Sequence, residues 1–235
     1  LVALKELCHD RSPTNKFLQE LWSLLTLRHP NIVTCQSLEH TVTGRCLVME
    51  YCEGGTLRSV LEQDSALRLA EALRLALGIL AGLEYTHQRG IVHCDIKPEN
   101  ILLSLGNIGW LPRLSDFGIA LRVLDTKTGA HLKPSPDNMM GSPAYMAPER
   151  FYGLYSPASD VYSVGILLFE MLMGKRPFTG MPGKLIWAHM NERLQLPPHI
   201  PEPLQAILKQ SLEKLPARRF RSAAEMAKAL RLALE

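Results

Sequence analysis

Eight consecutive residues, His93-Cys94-Asp95-Ile96-Lys97-Pro98-Glu99-Asn100, followed sixteen positions after Asn100 by Asp116-Phe117-Gly118, are the part of this chain best suited to chemistry. Moving a phosphoryl group from ATP to a hydroxyl needs a carboxylate to receive or orient that hydroxyl, a cation beside the moving group, and oxygen ligands that hold Mg²⁺ on the phosphates. Asp95, Lys97, Asn100 and Asp116 are of the right types for those tasks. Because the transition state is loose and metaphosphate-like, positioning counts for more than strong base chemistry, and an ordinary aspartate at position 95 is sufficient. A lysine pKa of about 10 keeps Lys97 charged at neutral pH, which suits it to the phosphoryl oxygens rather than to the role of base. Asn100 and Asp116 offer the hard oxygen donors that Mg²⁺ requires, with nucleotide phosphates and waters completing its octahedron.

The order of these motifs resembles that of the eukaryotic-like (Hanks-type) serine/threonine protein kinases, and the resemblance runs from Leu1 to Glu235. It implies an α+β, bilobal protein-kinase fold, with a truncated β-rich small lobe over 1–52 and the hinge and mainly helical large lobe over 53–235. Val2-Ala3-Leu4-Lys5 resembles the strand whose lysine grips the α- and β-phosphates, and Glu20, in the helical stretch Phe17 to Leu27, resembles its ion-pair partner. Leu47 to Gly55 is similar to the strand and hinge where backbone groups of Glu50 and Cys52 would meet the adenine edge, with Met49 as gatekeeper; Leu102 joins the nucleotide site by the same resemblance. Gly141 to Glu149 resembles the substrate-docking loop. There the Ser142 hydroxyl would contact Asp95 and Lys97, and Glu149 would pair with Arg219 in Pro216-Ala217-Arg218-Arg219-Phe220. His93 would pack beneath Phe117 and serve structure, not base catalysis. Lys97 to Asn100 and Ser142-Pro143 fit the serine/threonine branch, and Arg219 to Met226 is similar to bacterial members.

The implied activity is transfer of the ATP γ-phosphoryl group to serine or threonine hydroxyls of a protein substrate, with ATP and Mg²⁺ as cofactors. One alternative is a pseudokinase acting as a binding or scaffold module, against which Lys5, Asp95, Asn100 and Asp116 speak. Another is a kinase-fold enzyme for a small molecule, against which the docking loop ending in Ala147-Pro148-Glu149 speaks.

Two departures from the family pattern shape the expectations. The chain opens at Leu1 on the lysine strand and contains no Gly-x-Gly-x-x-Gly, so the phosphate-covering loop is expected upstream in a longer protein, and these residues alone are expected to bind ATP weakly. Cys94 stands where most members carry the arginine that receives an activation-loop phosphate. A neutral thiol cannot replace that arginine's charge-assisted bonds, so phosphorylation of Thr126, Thr128 or Ser135 is expected to matter little, and the thiol itself to be buried and inert.

The elements that must hold these residues can be read from periodicity. Up to Cys52, short β-rich runs surround one helix; from Arg68 onward helical spacing dominates, with the break near Glu53-Gly54-Gly55. Leu69, Leu73, Ala76, Leu77, Leu80 and Leu83 predict a core-facing stripe on a helix stopped by Gly90. Ile91-Val92, Ile101-Leu102-Leu103 and Arg113-Leu114-Ser115 predict short strands flanking the catalytic motifs, and Ser104 to Arg113 predicts a surface excursion longer than a tight hairpin. Val161 to Met173, apolar on nearly every face, predicts a buried helix ending at Gly174; Ser222 with Glu225 predicts a capping box for the last one.

At 235 residues, 46% of them apolar, the chain can build the core of one bilobal domain. A net charge of +3 with scattered basic residues gives no reason to expect nucleic-acid or membrane binding. Five cysteines without a C-x-x-C pair point to reduced thiols and a cytoplasmic setting, and no apolar run approaches the roughly 20 residues of a membrane span.

Overall fold

The apolar runs before the glycine break pair with one another. In the computed structural model, which describes residues 1–7, 25–41, 44–64, 66–117, 121–122 and 141–234, β1 (Val2–Leu7), β2 (Cys35–Thr41) and β3 (Gly44–Glu50) form an antiparallel sheet in the order β1-β3-β2. Lys5 lies opposite Leu47, whose side chain is buried with Cys35 beneath Leu25, Leu38 and Met49. Glu20 and most of the expected Phe17 to Leu27 helix lie outside the described residues.

Gly54 and Gly55 join this sheet to the rest of the chain for two different steric reasons. A Cβ on Gly54 would stand 2.6 Å from the Trp110 ring and 2.8 Å from the Leu103 side chain, and Gly55 adopts a φ of 66°. Both then hydrogen-bond to Leu103 through their backbones, Gly54 N–H to the Leu103 carbonyl and Leu103 N–H to the Gly55 carbonyl.

From there the chain is mainly helical: α1 (Leu57–Asp64), α2 (Leu69–His87), α3 (Pro157–Met173), α4 (Pro182–Asn191), α5 (Glu202–Ser211) and α6 (Ala223–Leu232). The stripe expected on α2 is broader than its leucine spacing. Ala72, Leu75 and Ile79 are buried with Leu73, Ala76, Leu80 and Leu83, because α2 is covered by α3, by α6 and by a hairpin, whereas Leu69 in the first turn is 41% exposed. α3 is buried from Ser159 to Met171 and ends on Gly174 in the left-handed conformation, as a helix apolar on nearly every face and stopped by glycine should. α6 starts on Ser222, whose hydroxyl accepts from Glu225 N–H, while the Glu225 carboxylate reaches back to Arg221 N–H.

The surface excursion expected over Ser104 to Arg113 is instead a tight hairpin. β5 (Ile101–Gly106) and β6 (Gly109–Leu114) pair without interruption to Gly106 opposite Gly109, leaving a two-residue turn. Gly109, the first residue after the turn, has a positive φ of 113°, which glycine adopts without steric cost. Pro112 is tolerated because its partner Leu103 directs its own amide and carbonyl to Gly55 and Gly54, so that no proline N–H is needed there. Two further strands, β4 (Ile91–Val92) and β7 (Leu121–Arg122), pair antiparallel with each other as a separate two-stranded sheet. Among the described residues no helix is long and apolar enough to cross a membrane.

A pH dependence of stability follows from α4. His189 is fully buried, edge-on to Phe178 at 5.1 Å between centroids, with Nδ1 2.9 Å from the Tyr162 hydroxyl. Burial, and then the charges of Lys214 and Arg176, push its pKa from 6.5 down to about 3. Below pH 6.5 the unfolded chain therefore takes up a proton that the folded chain refuses, and stability falls as pH drops through that window toward about 3. The expected loss from this residue between pH 7 and pH 5 is about 2 kcal/mol. Urea midpoints at the two pH values measure it, and His189→Gln, which cannot titrate, should flatten the difference.

Candidate active site

The loop after β4 is held by a carboxylate from below. Asp160, in the first turn of α3 and 1% exposed, accepts from His93 N–H at 2.8 Å with one oxygen and from Cys94 N–H at 2.9 Å with the other. His87 Nε2 lies 2.8 Å from the same carboxylate. Burial works against its charge, but His87, His93 and these amides outweigh burial and hold its pKa below the ordinary carboxylate range. This clamp fixes Cys94 at a φ of 69°, a left-handed conformation that costs a non-glycine residue on the order of 1 kcal/mol or more and persists only where its surroundings impose it. Cys94 is half-buried, not fully buried as expected.

His93 is wholly engaged in structure. It is fully buried, its Nε2 lies 3.0 Å from the Ser115 carbonyl, its Nδ1 accepts from Asp95 N–H at 3.3 Å, and its ring packs 4.6 Å from Phe117. Burial lowers its pKa, which favours the neutral tautomer that both hydrogen bonds require.

Three donors converge on the two oxygens of Asp95. Ser142 N–H reaches Oδ1 at 3.1 Å, while Asn100 Nδ2 at 2.9 Å and Lys97 Nζ at 2.8 Å reach Oδ2. Lys97 also donates to Ser142 Oγ at 2.9 Å, so Ser142 meets Lys97 through its hydroxyl but Asp95 through its backbone amide rather than its hydroxyl. The close approach of the 141–142 backbone depends on Gly141, at φ 119°; a Cβ there would lie 3.2 Å from Met146 and 3.4 Å from the Cys94 carbonyl. Asn100 gives a second bond from Nδ2 to the Asp95 carbonyl at 2.8 Å, which commits both amide protons and turns its oxygen into the group available to a cation.

Across the cleft, Asp116 Oδ1 accepts from Lys5 Nζ at 2.7 Å, with both side chains nearly half exposed. Asp116 also has a positive φ, 58°. The described Lys5 contact is therefore with Asp116; the expected Glu20 partner lies outside the described residues, as do Gly118, Thr126, Thr128 and Ser135. Glu50 donates its amide to the Thr34 carbonyl and binds Arg113 through its carboxylate at 3.0 Å, Cys52 is buried at the junction, and Leu102 sits half-buried on β5. Among the described residues no three His, Cys, Asp or Glu gather into a metal site by themselves.

Beneath the docking loop, Glu149 and Arg219 meet as expected. The guanidinium engages both carboxylate oxygens, at 2.8 and 2.7 Å, and directs its remaining N–H groups to the carbonyls of Glu213, Ala158 and Lys214. By family resemblance the segment Asp160 to Gly165 marks the opening of the buried central helix, but its sequence does not show that the Asp160 carboxylate clamps the His93 and Cys94 amides. Arg58 of α1, which binds Glu99, Glu170 and Tyr145, gave no local signal at all.

Comparison with known proteins finds relatives along most of the chain. The family model described as "Protein kinase domain" matches residues 1–230. The serine/threonine-protein kinase PkaB of Streptomyces coelicolor is 36% identical over 234 residues, covering 97% of this chain and 55% of that protein. PrkC of Bacillus subtilis is 35% identical over 236 residues, 96% of this chain and 35% of its own length, and PknB of Mycobacterium leprae 33% identical, 94% and 36% respectively. The chain thus spans about half, or about a third, of the length of these relatives.

Proposed function

The chain belongs to the protein kinase domain family, and from that premise we propose that the protein transfers the γ-phosphoryl group of ATP to serine or threonine hydroxyls of other proteins. The observation that carries this reading is the convergence of Lys97, Asn100 and Ser142 on the Asp95 carboxylate. Asp95 orients the acceptor hydroxyl and takes its proton late in the transfer. Lys97, within reach of both Asp95 and Ser142, places a cation beside the moving phosphoryl oxygens. Lys5 grips the α- and β-phosphates, paired in the full site with Glu20. The adenine edge meets the Glu50 carbonyl and the Cys52 backbone, and Leu102 packs beneath the base.

Asn100 and Asp116 fit Mg²⁺: one has its amide oxygen turned to the cation role by its two donated bonds, and the other is a half-exposed carboxylate. When bound, the ion neutralises charge on the transferring phosphates. Residues 1–52 then serve as the small-lobe part and 53–235 as the hinge and large lobe.

The test is label transfer from γ-³²P-ATP to a generic protein substrate by the full-length protein, followed by phosphoamino-acid analysis. Phosphoserine or phosphothreonine should appear only with Mg²⁺ present. Lys97→Met should lower the rate by at least about 100-fold, the effect of removing one preorganised group that stabilises charge in the transition state. Absence of transfer under these conditions would refute the reading.

A further inference from the structure

Arg58 lies on the acceptor side of the site. Its Nε donates to Glu99 at 2.8 Å, its Nη1 to Glu170 at 3.0 Å and its Nη2 to the Tyr145 hydroxyl at 2.6 Å. Tyr145 in turn donates to the other oxygen of Glu170. Two of these partners adjoin the catalytic groups in sequence: Glu99 follows Lys97 by two residues, and Tyr145 follows Ser142 by three. Tyr145 N–H also donates to the Ser142 carbonyl, so the cluster adjoins the Ser142 and Asp95 groups that an acceptor hydroxyl must reach.

The cluster is a cation site that already holds a cation. Glu170 is nearly buried, with 7% of its side chain exposed, and as a carboxylate it needs a positive partner there; Glu99 at the rim is 45% exposed and faces solvent. Burial opposes the charge on Arg58, but Glu99 and Glu170 outweigh it and hold the guanidinium above its usual range. Next to it Arg176 stands 5.9 Å over the Tyr145 ring, and with exposed Lys175 it lines a cavity of about 400 Å³ floored by Phe169, Met173 and Leu196. Arg58 offsets one of the two acids, and Arg176 with Lys175 outweighs the other, so the five groups on this flank together carry one positive charge.

We propose that Arg58 determines substrate specificity: its guanidinium occupies the Glu99–Glu170 carboxylate pair as an internal counterion, and so turns the acceptor groove away from basic side chains and toward neutral or acidic ones. This rests on the protein-kinase reading above. A substrate arginine can enter the pair only by displacing Arg58, whereas an acidic side chain meets Arg176 and Lys175 at the rim. Arg58 acts here through substrate selection and not through the reacting atoms.

The experiment uses the full-length protein with Mg²⁺-ATP and peptides of one scaffold, carrying Ala, Glu or Arg in turn at each of the three positions on either side of the acceptor serine. In the wild type, kcat/KM for the arginine peptide should not exceed that for the alanine peptide at any position. A wild-type preference for arginine of threefold or more at any of them would overturn the proposal without recourse to a variant. Arg58→Ala should raise the arginine-to-alanine ratio at least tenfold at one position, mainly through KM, and Glu99→Gln added to it should return the ratio toward the wild-type value. Arg58→Lys, which keeps the charge, should behave as wild type. A uniform fall in rate for all peptides in Arg58→Ala, with the ratio unchanged, would show Arg58 to be only a brace for the loop. If the wild type phosphorylates no peptide, the kinase reading is what fails; fluorescence anisotropy of the arginine peptide on wild type and Arg58→Ala then decides separately whether the carboxylate pair has been opened.

Discussion

Asp116→Asn is expected to reduce phosphoryl transfer by the full-length protein on the order of 1,000-fold while leaving its melting temperature nearly unchanged. The two halves of that expectation have different origins. The carboxylate is the charged member of the pair proposed, with Asn100, to hold the cation, and it is the group that Lys5 contacts at 2.7 Å, so on that reading its loss removes preorganised charge from the place where the phosphates must be held. Its side chain, however, is 46% exposed and its ion pair with Lys5 is open to solvent, so little folding energy depends on it. Asparagine is the right substitution because residue 116 has a φ of 58°, which asparagine adopts readily and alanine does not. Radiolabel transfer and thermal unfolding on the same preparation read both halves, and an undiminished rate would refute the assignment of Asp116.

Asp95→Asn should also abolish transfer, but it is a less clean experiment. Three donors point at the Asp95 oxygens, and an amide there would set an NH₂ group against at least one of them. A structural cost is therefore expected alongside the catalytic one, and the Asp116 variant separates them better.

The largest stability effect is expected at Arg219. Arg219→Met should destabilise the fold by about 3–5 kcal/mol, the cost of leaving a buried charge without its partner. Glu149 is 8% exposed and would retain only Ser159 as a side-chain donor among its described contacts, while three backbone carbonyls would lose theirs. Lysine is not a conservative replacement, since one ammonium cannot reproduce five donors in a planar fork. Adding Glu149→Gln to Arg219→Met should recover part of the loss, because the uncompensated charge is then gone. Urea unfolding of the four proteins closes the cycle, and a loss below 1 kcal/mol for Arg219→Met would contradict the role given to this pair.

The features legible in the sequence are those encoded locally or by a motif. Asp95, Lys97 and Asn100 lie within six residues, so their spacing alone delivers them to one loop, and the apolar run of α3 can be nothing but a buried helix. The Glu149–Arg219 pair spans 70 residues and was accessible only through family resemblance. Where periodicity failed, tertiary context was the cause. Leu69 has the right spacing for the core but sits in the first turn of α2, beyond its covering helices, and the β5–β6 hairpin was obscured by a proline whose missing amide is made harmless by Gly54 and Gly55. Arg58 was invisible because its partners at positions 99, 145 and 170 belong to three separate segments.

The Glu149–Arg219 contact also has a consequence for the order of events during synthesis. Glu149 is made 70 residues before the arginine that neutralises it, an interval of roughly 4–14 s at translation rates of about 5–20 residues per second. Until residue 219 emerges, the 3₁₀ turn at Pro148–Tyr152 and the start of α3 cannot settle on their final packing without trapping an unpaired carboxylate. The docking loop above them, and with it the Ser142 amide that seats on Asp95, must wait for the same residue. A nascent chain stalled between α5 and Arg219 should therefore have α2 and much of α3 in place while the 141–149 segment is still open to protease.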